Sequence, residues 1–228
     1  ERPEERTDRS WGVLSAWAWG ASRVMDWIAT EPTLDKRRVA VVGHSRGGKT
    51  ALLAAVTDER FAMACVNDSG CGGAKLARID LPLSEHYAAF LRSRKTYWFC
   101  GEFQNSFMGL DGDVSPYDVR RGCRLPDVDQ HELVALVAPR LVAIGSAQDD
   151  ISAGPLGEFH SARLASPAWE LYGRKGLVSE AFPQPDAARQ AGCVSYHLRK
   201  GGHDLVASDW RRFADFAEQH GWLKGRTE

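Results

Sequence analysis

Ser45, His203 and three aspartates, Asp68, Asp149 and Asp150, are the residues of this chain whose types and surroundings could break an acyl bond. Ser45 lies in Gly43-His44-Ser45-Arg46-Gly47, after Val39-Ala40-Val41-Val42 and before Gly48-Lys49-Thr50-Ala51-Leu52-Leu53. A buried strand, a Gly-x-Ser-x-Gly turn and a helix, in that order, make a nucleophile elbow. The serine is held at the carboxyl end of the strand in a strained conformation. Gly43 and Gly47 are then expected to let strand and helix approach closely. The neighbouring helix N-terminus offers free amides to a developing oxyanion. A serine hydroxyl needs a base to take its proton, and the base needs an orienting carboxylate. His203 fits the base: it stands in Gly201-Gly202-His203-Asp204, a turn that lets an imidazole reach back over the strands. The acid stays open between Asp150 or Asp149, after the third expected strand, and Asp68, after the second. Lys49 falls one helical turn past Ser45, so the two can share a face. Together with Arg46 it suits an oxygen-rich, anionic or sugar substrate. His44 is read as too close to Ser45 in sequence to face it, and His86, His131, His160, His197 and His220 as structural.

These side chains need a frame that brings strand ends together. Apolar spacing predicts a helix over Ser10–Ala29 with its tryptophans in the core, stopped at Glu31-Pro32. The elbow strand and helix follow, and then a second buried strand, Phe61–Val66, running into the glycine-rich loop Asn67–Gly73. A helix is expected from Ser84 to about Arg94, loop over 109–116, and a helix over Asp129–Val137 stopped by Pro139. Leu141–Ile144 reads as a third strand and Leu156–Leu164 as a helix. Residues 173–192 read as loop and a short helix. Val194–Arg199 alternates as a half-buried strand, and a last helix over Ser208–His220 has Trp210, Phe213 and Ala217 on one face. Alternating strands and helices imply an α/β fold, a mostly parallel sheet with helices on both faces and ligands at the strands' carboxyl ends. Such an elbow usually comes after several strands, so amino-terminal strands are expected to be missing from this chain. Residues 1–228 are read as a single, amino-terminally truncated catalytic domain.

Composition narrows the partners. The 228 residues carry 29 Lys plus Arg against 30 Asp plus Glu, a net charge of −1, which argues against nucleic acid or an acidic membrane as partner. Nothing approaches the ~20 apolar residues of a membrane span. No signal peptide is read, and the chain opens Glu1-Arg2-Pro3. Cys65, Cys71, Cys100, Cys123 and Cys193 show no metal or redox spacing, and five cysteines cannot all pair within one chain. Cys65 is read as core.

Several motifs go beyond the elbow: Gly43-His44-Ser45-Arg46-Gly47-Gly48-Lys49, Trp17-Ala18-Trp19-Gly20, Asn67-Asp68-Ser69-Gly70-Cys71-Gly72-Gly73, Tyr97-Trp98-Phe99-Cys100, Leu125-Pro126-Asp127-Val128-Asp129-Gln130-His131, Gly157-Glu158-Phe159 and Gly202-His203-Asp204. In these the chain resembles the glucuronoyl esterases, carbohydrate esterase family 15, in their bacterial form, from about residue 11 to 222. The resemblance implies an α/β-hydrolase fold and a serine esterase without metal or cofactor. Its substrate would be the ester between 4-O-methyl-glucuronate of xylan and lignin alcohols. Ser45 would be nucleophile, His203 base, and Asp68 or Asp150 acid. Arg46 would help form the oxyanion hole, Lys49 would bind sugar hydroxyls, and Glu85 would match a sugar-binding glutamate. A secreted or periplasmic monomer is expected. Two positions depart from the pattern: Ser152 stands where relatives often carry a tryptophan that stacks on the uronate, and Gly154 where an acidic residue is common. The disulfide of fungal members is absent, its positions being His44 and Asp204. Two other readings fit the same residues: an esterase for acetylated xylan or other small esters, and a carbohydrate-binding relic without turnover.

Overall fold

Strands that read as unbroken apolar runs end up covered on both faces, and here they form the middle of one sheet. In the computed structural model, which describes residues 5, 7, 9–79, 81–87, 90, 95–103 and 128–222, five strands line up in the order β1-β2-β3-β5-β4. They are β1 (Ala40–His44), β2 (Met63–Asn67), β3 (Leu141–Ala147), β4 (Ala187–Arg189) and β5 (Val194–Arg199). The first four in that order run parallel, with Val42 beside Cys65, Cys65 beside Ala143, and Ala143 beside Ser195. The β4 strand pairs antiparallel with β5. Every residue of β2, β3 and β5 is buried, whereas β1 is half-buried along its length.

The helices are α1 (Val13–Thr30), α2 (Arg46–Thr57), α3 (Gln130–Ala135), α4 (Pro155–Ala165), α5 (Pro167–Glu170) and α6 (Ala207–Gln219), with a 3₁₀ turn at Lys95–Trp98. Neighbouring residues of a strand point to opposite faces. In β5, Tyr196 packs edge-on to Phe159 of α4, and the next residue, His197, bonds Asp209 of α6. Helices therefore cover both faces of the sheet, as expected. The four parallel strands deliver their carboxyl ends to one edge, where Ser45, Asp68, Asp150 and His203 sit in the turns that follow β1, β2, β3 and β5.

Three expectations need correcting. Residues 187–189 form a strand rather than part of a loop and short helix. Three residues, Ala-Ala-Arg, are too few to show a period. The tryptophans of the first helix are not core: Leu14, Ala18 and Met25 form the buried face of α1, while Trp17, Trp19 and Trp27 stay at least half exposed. Small and flexible residues fit against α2 where indoles would not. In α6 the buried residues are Asp209, Phe213 and Phe216, and Trp210 is exposed. Most of the helix expected over Ser84–Arg94 and the loop at 109–116 lie outside the described residues, as does Cys123. Among the described residues Cys65, Cys71, Cys100 and Cys193 are free thiols, and Cys65 is buried in the core.

Candidate active site

The elbow is strained in the way its sequence implies. Ser45 has φ 57° and ψ −122°, a conformation L-residues rarely adopt. It links β1 directly to α2. A methyl group on Gly43 would lie 1.9 Å from the Gly47 carbonyl oxygen, so that glycine is required. At Gly47 a Cβ would meet nothing within 4 Å. The second tight position is instead Gly48, whose Cβ would come within 2.9 Å of the Asn67 carbonyl. The Ser45 N–H donates to Asn67 O at 2.9 Å, tying the elbow to the end of β2. Arg46 is the first residue of α2, where backbone N–H groups have no partner within the helix. Its exposed side chain lies over the Trp98 ring, 5.4 Å from the centroid.

Across the same edge, His203 Nδ1 lies 2.6 Å from Asp150 Oδ2. Asp150 is 5% exposed and also accepts the Ala153 N–H at 3.1 Å, so its carboxylate is held at both oxygens. This pairing leaves His203 Nε2 as the ring nitrogen open to a reacting proton. Among the described residues no hydrogen bond joins the ring to Ser45. Apo sites are commonly looser before substrate arrives. Asp149 is exposed and donates its N–H to Gly201 O at 3.0 Å. It braces the histidine loop by its backbone and does not face the ring.

Asp68 is fully buried beside this pair. It accepts the Ala147 N–H at 2.7 Å and Arg199 Nη2 at 3.2 Å. Burial, with the nearby Glu158 and Asp150 charges, pushes its carboxyl up to about 8 against the pull of these two donors. One ligand atom each from Asp68, Asp150 and His203 lie within 4.8 Å of one another, a set that could hold a cation. In this geometry, however, His203 Nδ1 and the Asp150 carboxylate are already committed to each other.

Lys49 is buried, and its ammonium is satisfied three times over: by Ser69 O, by Cys71 O at 2.8 Å and by Glu85 Oε2 at 2.9 Å. The two residues expected to bind sugar are thus an ion pair with each other. Ser152 is exposed and accepts the Glu85 N–H at 2.7 Å. Gly154 has φ 67°, and a Cβ there would come within 2.7 Å of Lys75 Cε, so a side chain at this turn would be strained.

Four residues take part that reading the sequence did not place. The His44 ring lies against that of His203, tilted by 45° with centroids 4.4 Å apart. It is adjacent to Ser45 in sequence and adjacent to His203 in space. The Asn67 amide faces His44 Nδ1 at 2.7 Å, and with its nitrogen turned that way it also donates to Asp68 Oδ2 and Asp204 O. Glu158, wholly buried, accepts from the Ser69 N–H and hydroxyl, the Gly70 N–H and the Ser146 hydroxyl, so it locks the β2 loop to the end of β3. Burial pushes its carboxyl up while these donors pull it back. Arg199 ends β5 and reaches five acceptors. Charged residues inside otherwise apolar segments are the one sequence signal that marks Glu158 and Arg199.

A family profile described as "Glucuronyl esterase, fungi" matches residues 6–173. The chain belongs to the glucuronyl esterase family. A carbohydrate esterase of an unknown prokaryotic organism is 39% identical over 213 residues, covering 92% of this chain and 45% of its own length. A 4-O-methyl-glucuronoyl methylesterase of Hypocrea jecorina is 32% identical over 195 residues, 82% of this chain and 38% of that protein. Among solved structures, a glucuronoyl esterase from Solibacter usitatus superposes with a TM-score of 0.82 at 36% identity, over 95% of this chain and 51% of the other. A structure described as a promiscuous CE15 esterase from a marine bacterial metagenome gives 0.81 at 39%, over 92% and 49%. The fold is therefore the α/β-hydrolase fold of the glucuronyl esterases. The chain spans about half the length of these relatives or less.

Proposed function

We propose that this chain is the serine-esterase core of a glucuronyl esterase. It would cleave 4-O-methyl-glucuronoyl esters that join xylan glucuronate to lignin alcohols. The observation that carries this reading is the 2.6 Å pair between His203 Nδ1 and buried Asp150, on the same sheet edge as a Ser45 held at φ 57°. Asp150 fixes the tautomer with the proton on Nδ1, so Nε2 takes the proton from Ser45 Oγ as that oxygen attacks the ester carbonyl. The oxyanion forms against the free amides at the start of α2, with the Arg46 guanidinium beside it. Collapse expels the alcohol, which takes its proton from His203. Water then repeats the sequence and releases the uronic acid. The carbohydrate ester is the only partner this chemistry needs. A secreted or periplasmic monomer fits that substrate, and no helix among the described residues is long and apolar enough to cross a membrane.

Ser45→Ala should leave the fold intact and reduce cleavage of a glucuronate methyl ester below about one thousandth of wild type. Turnover above that level removes Ser45 as nucleophile. A second reading, an esterase for acetylated sugars or other small esters, is favoured by exposed Ser152 and by Gly154, which leave the uronate without the stacking ring and acidic group common in relatives. Assaying the uronate ester beside an acetylated sugar separates the two. Inertness on both would point to a binding relic.

A further inference from the structure

The loop that carries His203 takes three hydrogen bonds from one side chain, that of Arg199. We propose that Arg199 positions the His203 imidazole, by binding the loop's backbone on both sides of the histidine and anchoring it to buried carboxylates. The inference rests on the reading of His203 as base. Arg199 is the last residue of β5 and is 6% exposed. Its Nη2 donates to Gly202 O at 2.8 Å and to Asp204 O, the carbonyls flanking His203. Nη1 donates to Lys200 O at 3.1 Å. The same guanidinium is fixed from behind by Asp209 Oδ2 on Nε at 3.0 Å and by Asp68 Oδ2 on Nη2 at 3.2 Å. Its own carbonyl accepts the Gln148 N–H at 2.8 Å, in the turn that presents Asp150.

Arg199 therefore touches both the base's loop and the acid's turn, while none of its hydrogen bonds goes to the ring itself. The loop needs such a hold. Gly201 has φ 96°, two glycines precede the histidine, and the His203 side chain is about half exposed, so little packing fixes it. A planar fork serves acceptors from Nε, Nη1 and Nη2 at once. A lysine ammonium keeps the charge but has three donors on a single atom. A role limited to neutralising Asp68 and Asp209 would be met by lysine, and a positioning role would not.

The test is Arg199→Lys, read in two ways. The first follows the His203 Nδ1–H proton by NMR, assigned by its loss in His203→Gln. Wild type should show a protected, downfield resonance, and in folded Arg199→Lys it should broaden or exchange away. The second is kinetic: kcat should fall on the order of 10- to 100-fold, the range expected for a slightly misplaced catalytic group, with KM within about twofold. A folded Arg199→Lys with the resonance intact and kcat unchanged overturns the proposal, as does a loss confined to KM. If wild type cleaves no ester, the assigned chemistry fails, yet the resonance still decides whether Arg199 holds the imidazole. If Arg199→Lys does not fold, wild type decides. Resolved, slowly exchanging Arg199 guanidinium protons support the clamp, and averaged, fast-exchanging ones overturn it.

Discussion

Asp150 and Asp68 stand beside the same imidazole with different endowments. Asp150 gives one oxygen to His203 and the other to the Ala153 N–H. Asp68 gives its oxygens to Ala147 and Arg199 and makes no hydrogen bond to the ring, and burial raises its carboxyl to about 8. A carboxyl that does not bond the ring leaves the choice of tautomer to Asp150. Asp150→Asn should then lower kcat by roughly 10³–10⁴ with little change in KM, the cost of the wrong tautomer, while Asp68→Asn stays within about tenfold. Steady-state kinetics on both variants decide it, and a severe Asp68→Asn beside a silent Asp150→Asn would put the acid on the earlier strand. The places of Ser45, His203 and the candidate acids are legible in sequence because each follows a strand, and topology gathers strand ends. The choice between Asp149 and Asp150 is not, since it depends on how one turn is wound. Nor are Arg199 and Glu158, whose partners lie 131 and 89 positions away. Their work exists only once the sheet has formed.

The elbow helix contributes more than the amides at its start. Lys49 extends from its first turns and fastens Ser69 O, Cys71 O and Glu85, so α2 staples the loop that follows β2. A lysine whose three donors are all taken can reach a sugar only by releasing one. We therefore expect Lys49→Met to cost about 2 kcal/mol, seen as a fall of roughly 4–8 °C in Tm. Losses should be similar on uronate esters and on a small aryl acetate. An unchanged Tm with a KM defect confined to uronates would restore the sugar-binding role. The elements themselves divide by how strongly they are patterned. The strands β1, β2, β3 and β5 can be read because apolar runs bounded by turns leave few alternatives. Short β4 is set by pairing with β5 and leaves no trace in three residues. In α1 the periodicity finds the helix and Leu14 but leaves Trp17 or Ala18 and Val24 or Met25 open, and it is Ala18 and Met25 that are buried.

Two buried carboxyl groups with raised pKa give the whole molecule a pH slope. Asp68 rises from about 3.8 to about 8 through burial first and then the Glu158 charge, and Glu158 is raised from 4.5 by burial. A group whose folded pKa is raised adds stability that is complete below its unfolded pKa and is lost as pH climbs through the folded one. For Asp68 that loss runs between about pH 4 and pH 8. Thermal unfolding should show a higher Tm at pH 5 than at pH 9, and Asp68→Asn should flatten the difference. A Tm that rises over this range would contradict the direction. The sheet also distributes its solidity unevenly. Asp150 and His203 hang from β3 and β5 in its buried middle, but Ser45 hangs from β1, which is half-buried and pairs with β2 alone among the described strands. Backbone amides of β1 should therefore exchange with solvent sooner than those of β3, through openings that leave the middle strands intact. The first casualty of mild denaturant would then be ester cleavage, vanishing while the circular dichroism of the folded protein persists.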